Sequence, residues 1–354
     1  MQKSELQNST KNTGVFAAIS AAMLFGAGTP LAKVLLGDTN PWMLAALLYL
    51  GAGLGLFIYR LLTRAPRVVL ATAEIPWLLG SIVAGGIIGP VLLMFGLKYM
   101  PASGASLLLN AESIFTVLLA WFVFKENFDR RIALGMGAIL LGAVVISWPN
   151  QSGNTSWWPT LAILGACLAW GMDNNLTRKV SLNDATWIAA VKGLSSGSVN
   201  LGLALLLGAS YPALPDLAGA MLIGLLAYGI SLAFFVHALG HLGTARTGAY
   251  FSIAPFFGAT LAVCMGAPLT LTLVIAGLLM AFGVWLHLTE RHEHAHSHEA
   301  MMHDHLHTHD AHHQHEHEHD FPVAAGTRHR HLHGHAPLTH SHPHFPDFHH
   351  RHIH

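Results

Sequence analysis

Long apolar runs separated by short polar clusters make up the first 290 residues. A helix crossing the hydrocarbon core of a bilayer needs about 20 mostly apolar residues. Ten runs fit that length, at 13–36, 42–62, 76–97, 102–124, 132–148, 158–177, 186–207, 217–238, 245–265 and 268–287. The links are turn-rich, as in Gly37-Asp38-Thr39-Asn40-Pro41 and Tyr211-Pro212-Ala213-Leu214-Pro215. The runs are continuous, whereas membrane barrel strands alternate in segments of about ten residues. The first run exceeds the apolar region of a signal peptide, about 7–15 residues, and reads as a retained span. After residue 291 the apolar runs stop and histidine recurs at alternate positions.

Composition agrees with this division. The chain has 354 residues, 53% hydrophobic and 10% charged, with mean hydropathy +0.47. Soluble domains carry about 25% charged residues, enough to cover their surface. This chain cannot do so. Net charge is zero with histidine neutral, and no basic stretch is interleaved with aromatics, which argues against a nucleic-acid partner. Two cysteines, Cys167 and Cys264, are too few for a disulfide scaffold and read as small packing residues. No nucleotide loop or catalytic cluster suggests an enzyme.

Basic residues set the orientation. With ten spans, twelve fall on the side of the termini, among them Arg60, Lys125, Arg178 and Arg246, and only Lys33 and Lys98 fall on the other. The prediction is an inner-membrane protein in contact with lipid, both termini cytoplasmic. Its divisions are a cytoplasmic N-terminus (1–12), five spans (13–148), an outer linker (149–157), five further spans (158–288) and a tail (289–354). The linker holds a glycosylation sequon, Asn154-Thr155-Ser156. The oligomeric state is open, a homodimer included.

The two sets of spans look alike. Phe25-Gly26 and Leu31-Ala32-Lys33 match Trp170-Gly171 and Leu176-Thr177-Arg178 at a spacing of 145, and Leu97 through Phe115 aligns with Leu239 through Phe257 at 142. Five spans is an odd number, so the second repeat is inverted relative to the first, an arrangement that places substrate at mid-bilayer between the repeats.

The stretch Ala238-Leu239-Gly240-His241-Leu242-Gly243-Thr244-Ala245-Arg246-Thr247-Gly248-Ala249, running on to Ala254-Pro255-Phe256-Phe257, resembles the EamA family of drug/metabolite transporters. The counterpart in the first half is Ala111-Glu112-Ser113-Ile114-Phe115, followed by Trp121 and Lys125-Glu126. The resemblance covers about 13–288 and leaves the tail out. It implies movement of small metabolites, with an acidic role for Glu112. The sequence departs from the family pattern where Ser113 replaces proline and Ala254 replaces glutamate.

Charges inside spans are costly, about 2.5–3.5 kcal/mol on insertion scales, so they line a path or pair with one another. Glu112, flanked by Asn110 and Ser113 near the middle of its run, suits a carboxyl that binds and releases a proton. The run Asp173-Asn174-Asn175 can hold a cation or polar substrate, or cap a helix. Lys192 is expected to snorkel to the surface, with pairing to Asp173 as the alternative; Lys33 shares this ambiguity at the other surface. Trp170 and Tyr250 are candidate lining aromatics, with packing the favoured alternative. Pro30, Pro90 and Pro255 lie inside runs, where proline can break a helix and free backbone groups.

The tail holds 24 of the 27 histidines. Alternation puts imidazoles on one face of an extended chain, and neutral imidazole suits zinc, nickel, cobalt or copper. The candidate ligands are His292, His294, His296, His303, His305, His307, His309, His315, His317 and His319. Two matches to H-E-x-x-H, at 292–296 and 315–319, carry no weight in so histidine-rich a segment. The tail is expected to be disordered without metal. The body needs no cofactor.

These features predict an all-α membrane protein of ten transmembrane helices in two inverted five-helix repeats, with a disordered cytoplasmic tail. The function expected is secondary transport of a small molecule or ion by alternating access, with metal bound on the tail. The alternatives are a divalent-metal exporter (nickel, cobalt or zinc) and a membrane-anchored metal sensor or buffer. A topology reporter fused after residue 290 is expected to be active only in its cytoplasmic form; a periplasmic signal overturns both the span count and the side assigned to the tail.

Overall fold

The computed structural model describes residues 2–37, 39–124, 130–148, 157–180, 183–242, 250–288, 293–298, 301–307, 329–335 and 338–343. The chain divides into two units, Met1–Glu290 and Arg291–His354.

The described part of the first unit is all-helical. Its first half runs α1 (Gln2–Leu35), α2 (Pro41–Leu62), α3 (Ile75–Ser81), a π-helical segment (Ile82–Ile88), α4 (Gly89–Tyr99), α5 (Ala102–Leu108), α6 (Ala111–Phe124) and α7 (Arg130–Ser147). The second half runs α8 (Trp158–Thr177), α9 (Ala185–Leu206), α10 (Leu214–Gly224), a second π segment (Leu225–Ile230), α11 (Ser231–Leu242), α12 (Ala254–Cys264) and α13 (Leu271–Leu288). Five helical stretches among the described residues are long and apolar enough to cross a membrane: Thr13–Leu35, Pro41–Leu62, Thr72–Tyr99, Ala185–Leu206 and Leu214–Phe235. Shorter apolar helices include Ala133–Ser147, Ala254–Cys264 and Leu271–Leu286. Large apolar side chains such as Phe16, Leu62, Leu141, Leu206 and Leu278 are exposed on the helix faces. So broad an apolar surface suits lipid. Tyr99, Trp148, Trp157, Trp158 and Tyr211 are exposed near helix ends, where aromatic belts meet the headgroups.

The halves repeat more than sequence. A π segment interrupts the third helical stretch of each, at 82–88 and 225–230, and each has a helix break in the fourth, at Leu109–Asn110 and Ser252–Ile253. The offset between these features is 142–143 residues, the spacing of the sequence match. Corresponding elements also pack together, α2 on α9 and α7 on α13, while α5, before the break of the first half, packs on α12, after the break of the second. The first helix of each half packs on the third and fourth stretches of the other, α8 on α4 and α6, and α1 on α11 and α12.

The α2–α9 crossing depends on small residues. A Cβ on Gly53 would lie 2.4 Å from the Leu194 nitrogen, and one on Gly193 would lie 2.7 Å from the Gly53 Cα. Where no water competes for contacts, glycine lets backbones approach and gain dispersion energy. An ion pair fastens one end of this crossing, Arg60 Nη1 to Asp184 Oδ2 at 2.6 Å. Asp184 also caps α9 by accepting from the Trp187 N–H. Burial pushes the Asp184 carboxyl upward, but Arg60, the Thr186 hydroxyl and the Trp187 N–H outweigh it and hold it below the usual carboxylate range.

Several expectations need correction. Helix α1 begins at Gln2, so residues 2–12 are helical, and the apolar span within that helix is Thr13–Leu35. It also runs through Pro30 without interruption. The carbonyl that Pro30 leaves without an N–H partner, Gly26 O, lies under Gly258, where a side chain would collide with it. The run 102–124 is divided at Leu109–Asn110, with no proline present. Pro255 sits in the first turn of α12, just after its break, a position where its missing N–H costs nothing. Cys167 is buried as a packing residue, but Cys264 is exposed. The linker residues 149–156 and the segment 243–249 lie outside the described residues.

The tail is not wholly irregular. Strand β1 (Glu293–His298) pairs antiparallel with β4 (Leu338–Pro343), and β2 (Met301–His307) with β3 (His329–His335). Alternating histidines have the period of a strand, and pairing satisfies the backbone. Met302 and Leu306 of β2 share a face with Leu332 of β3, opposite the histidines. His292, His309, His315, His317 and His319 lie outside the described residues.

The glycine crossing gives a test. Gly53→Ala is expected to lower the thermal midpoint of the detergent-purified protein, since overpacking costs about 1–3 kcal/mol. Gly202→Ala, in the same pair of helices but with nothing within 4 Å of its Cβ, is expected to be neutral or to stabilise by about 0.4–1 kcal/mol. Equal shifts in the two variants would refute the close-approach argument.

Candidate functional site

The first π segment organises the site. In π register the N–H of residue 90 would bond the Gly85 carbonyl, and in α register the Gly86 carbonyl. Pro90 has no N–H to give. Side chains supply the missing donors. Gly85 O accepts from the Tyr49 hydroxyl at 2.8 Å and from Trp170 Nε1 at 2.9 Å. Gly86 O accepts from Asn200 Nδ2 at 3.1 Å. An unsatisfied buried carbonyl costs about 1–3 kcal/mol, so one turn of backbone holds donors from α2, α8 and α9 together.

Asp173 stands over this turn, so close that a Cβ on Gly85 would collide with its carboxylate. Its Oδ1 accepts from Lys192 Nζ at 2.5 Å and from the Thr177 hydroxyl at 2.7 Å. The Asp173 and Lys192 side chains are 13% and 15% exposed. Lys192 therefore does not snorkel. A carboxylate one short link away, partly shielded from water, is a better partner than a distant surface. Asp173 is likewise no helix cap.

Glu112 is reached from the same stretch of α8. Its Oε1 accepts from Asn174 Nδ2 at 2.8 Å, and that amide also lies 3.2 Å from the Thr116 hydroxyl. Glu112 occupies the first turn of α6, immediately after the break at Leu109–Asn110. There the exposed N–H groups and the helix dipole favour negative charge. Asn110 completes the break: buried, it donates to Leu107 O at 3.0 Å and lies 3.8 Å from Met280 Sδ. Asn175 donates to Thr116 O and Gly171 O, tying α8 to α6. Among the described residues, no cation is paired with Glu112.

Of the predicted site residues, Glu112, Trp170, Asp173, Asn174, Asn175 and Lys192 come together, and Pro90 supports them through the π segment. Tyr250 does not join them. It packs against the cluster of Ala17, Ala18 and Ala238. Lys33 caps the end of α4, donating to Leu97 O at 2.6 Å and Lys98 O at 2.9 Å. Sequence reasoning missed Tyr49, Thr116, Thr177, Ser196 and Asn200. Ser196 Oγ and Asn200 Oδ1 are buried without a partner, and a Cβ on Gly86 would strike Ser196. Their spacing of four in an apolar run was a readable signal.

An aromatic group lies beside the polar one. Tyr49 packs on Tyr228 with ring centroids 5.6 Å apart, Tyr228 on Phe25 at 5.7 Å, and Phe25 on Phe251 at 5.3 Å. Tyr49 belongs to both groups. Among the described residues no three His, Cys, Asp or Glu side chains converge as a metal centre would need.

Apolar helices around partly buried ionisable groups suit a membrane protein, and comparison with known proteins gives its class. Residues 12–148 match the EamA-like transporter family. An "Uncharacterized transporter" of Methanothermobacter thermautotrophicus is 28% identical over 292 residues, covering 77% of this chain and 85% of its own. A Salmonella typhimurium protein named "Probable amino-acid metabolite efflux pump" is 25% identical over 167 residues, covering 47% of this chain and 53% of its own. One solved crystal structure superposes with a TM-score of 0.60 over 78% of this chain and 96% of its own; at 19% identity that likeness shows the fold. The protein is a multi-pass membrane transporter and not an enzyme.

The buried pair gives a second test. Asp173→Asn or Lys192→Met alone is expected to destabilise by about 3–5 kcal/mol, because each leaves an uncompensated charge. The double variant removes both charges and is expected to cost much less than the sum. Additive losses in thermal midpoint would show that the two groups do not depend on each other.

Proposed function

We propose that the protein is a proton-coupled secondary transporter of small metabolites, working by alternating access. The carrying observation is the bond between Glu112 of the first half and Asn174 of the second, beside the Asp173–Lys192 pair. It joins the halves at a carboxyl among apolar helices, at a helix break. A carboxyl held by a neutral amide, with no cation beside it, can take up or release a proton without breaking an ion pair. The paired recurrence of π segments, breaks and contacts supports ten spans in two inverted repeats, with the substrate between them. The basic-residue bias supports an inner-membrane location with both termini cytoplasmic.

The aromatic group beside the carboxyl suits an organic substrate with one polar end, and the efflux pump named for amino-acid metabolites among the relatives points the same way. In this reading the tail binds divalent metal separately. The reading as a divalent-metal exporter draws on the tail alone. Proteoliposomes with an imposed pH gradient and radiolabelled amino acids as probes provide the test. The wild type is expected to accumulate label, and Glu112→Gln to lose gradient-driven accumulation while still inserting and exchanging label downhill. A variant that accumulates at the wild-type rate with unchanged pH dependence removes Glu112 from the coupling.

A further inference from the structure

Polar links hold the α8–α9 hairpin against the first half where α2 ends and α3 begins. Arg60 Nη1 of α2 pairs with Asp184 Oδ2 at 2.6 Å and donates to the Thr186 hydroxyl at 2.7 Å. Asn183 Nδ2 donates to Glu74 Oε1, just before α3, at 3.2 Å. The Lys179 ammonium lies 5.9 Å from the centroid of the Trp77 ring, within reach of a cation–π attraction. Beneath these links Leu78 and Ile82 of the first half form one buried apolar cluster with Val180 and Ile188 of the second. Leu176 lies one turn further along α8, against α3, where a Cβ on Gly80 would come 3.2 Å from its Cδ1. Every one of these links joins the two halves.

The repeat spacing puts the counterpart of this closure at the opposite end, between the α1–α2 link and the start of α10. The helix cap is kept there: Asn40 accepts from the Trp42 N–H as Asp184 does from the Trp187 N–H. The links are not kept. The residues 143–145 beyond Arg60 are Leu203, Ala204 and Leu205, and the residue 143 beyond Glu74 is Leu217. Leu35 and Leu217 join the main apolar core instead, and a Cβ on Gly219 would lie 3.7 Å from Leu35 Cδ2. Among the described residues no ion pair or side-chain hydrogen bond joins 35–42 to 203–220.

We propose that the Arg60–Asp184 pair and the Glu74–Asn183 bond are the latch of an inner gate, closing the site from the cytoplasmic face of the proposed topology. The inference rests on alternating access as the mode of transport, and adds which contacts break when one end opens. The hairpin is braced as one body, since Asp173 of α8 is paired with Lys192 of α9. Release at its tip therefore carries Asp173, Asn174 and Lys192 together, away from Glu112 and the π segment. The Asp184 side chain is 31% exposed, so water takes over the hydrogen bonds of the latch once it parts. At the opposite end parting exposes apolar surface instead. The two openings draw on different forces.

Access to Leu176, between latch and site, provides the test. Leu176→Cys is placed in the full chain with Cys167 and Cys264 replaced by alanine, and its reaction with a membrane-impermeant thiol reagent is timed in inside-out and right-side-out vesicles. The rate follows the population open at the exposed end. Asp184→Asn keeps a side-chain oxygen for the α9 cap but removes the charge, and Asn183→Ala removes the second link. Together they are expected to speed the reaction about two- to tenfold in inside-out vesicles, as loss of a partly exposed ion pair and one hydrogen bond allows. Leu35→Ala with Leu217→Ala loosens the opposite end and is expected to slow it. A rate unchanged by the latch substitutions, or raised by both sets as general loosening would do, overturns the latch. Acceleration seen only in right-side-out vesicles overturns its assignment to the inner face. Absence of gradient-driven uptake by the unsubstituted protein would instead overturn the transport reading, which a failed latch leaves intact.

Discussion

A backbone carbonyl buried among apolar helices must find a donor, and the architecture around the site follows from how two such carbonyls find theirs. Pro90 leaves Gly85 O and Gly86 O without the partners a regular helix would provide. In lipid no water makes good that loss. Tyr49, Trp170 and Asn200 do so from three different helices. The same turn of glycines lets Asp173 and Ser196 come against the backbone, where any side chain would exclude them. One proline and two glycines thus decide which helices surround the ionisable group.

The cost of that arrangement is met within the site. Asp173 and Lys192 neutralise each other, so the pair adds no net charge to the apolar region. Glu112 is treated differently: it receives a neutral amide and the N-terminal end of a half-helix. Two carboxyls a few residues' reach apart therefore have distinct environments, one locked to a cation and one open to exchange. Environments that separate two carboxyls in this way assign them different tasks. The locked pair suits a positioning role and the open one a coupling role, which is why the proposed function is centred on Glu112.

Much of this was legible in the sequence. The apolar runs located the helices because lipid demands length and continuity, which composition shows directly. Glu112, Asp173 and Lys192 stood out because charge is rare in such runs. Their pairing did not, since whether Lys192 reaches the surface or Asp173 depends on the relative placement of α8 and α9. Tyr49 was invisible for the same reason: a tyrosine in an apolar run looks like packing until the carbonyl it answers is known. The break at Leu109–Asn110 has no proline to mark it in the sequence; there Asn110 bonds its own backbone and ends the helix. Tyr250 packs instead of lining the site, a choice between two uses of an aromatic that depends on which way the side chain faces and is not visible in an apolar run. In the tail, alternating histidines were visible in the sequence, but the pairing of β1 with β4 and β2 with β3 joins segments far apart in the chain and was not.

The likeness of the halves also shows where they have parted. The spacing of 143 that relates the two π segments relates Tyr49 to Lys192 and Gly85 to Tyr228. At the first of these positions one half supplies a hydroxyl and the other a cation. At the second, one half supplies a bare carbonyl turn and the other an aromatic ring packed on Tyr49. Glu112 has its counterpart near Ala254 and Pro255, where no carboxyl remains. The halves differ at these positions, while the π segments and breaks that shape the meeting place are kept in both. A fold with two related halves would, if both stayed alike, present the same groups twice to whatever lies between them. With polar and ionisable groups beside aromatic rings, the meeting place of the halves presents unlike groups instead of the same ones twice, which is what the proposed function uses to orient a substrate with one polar end.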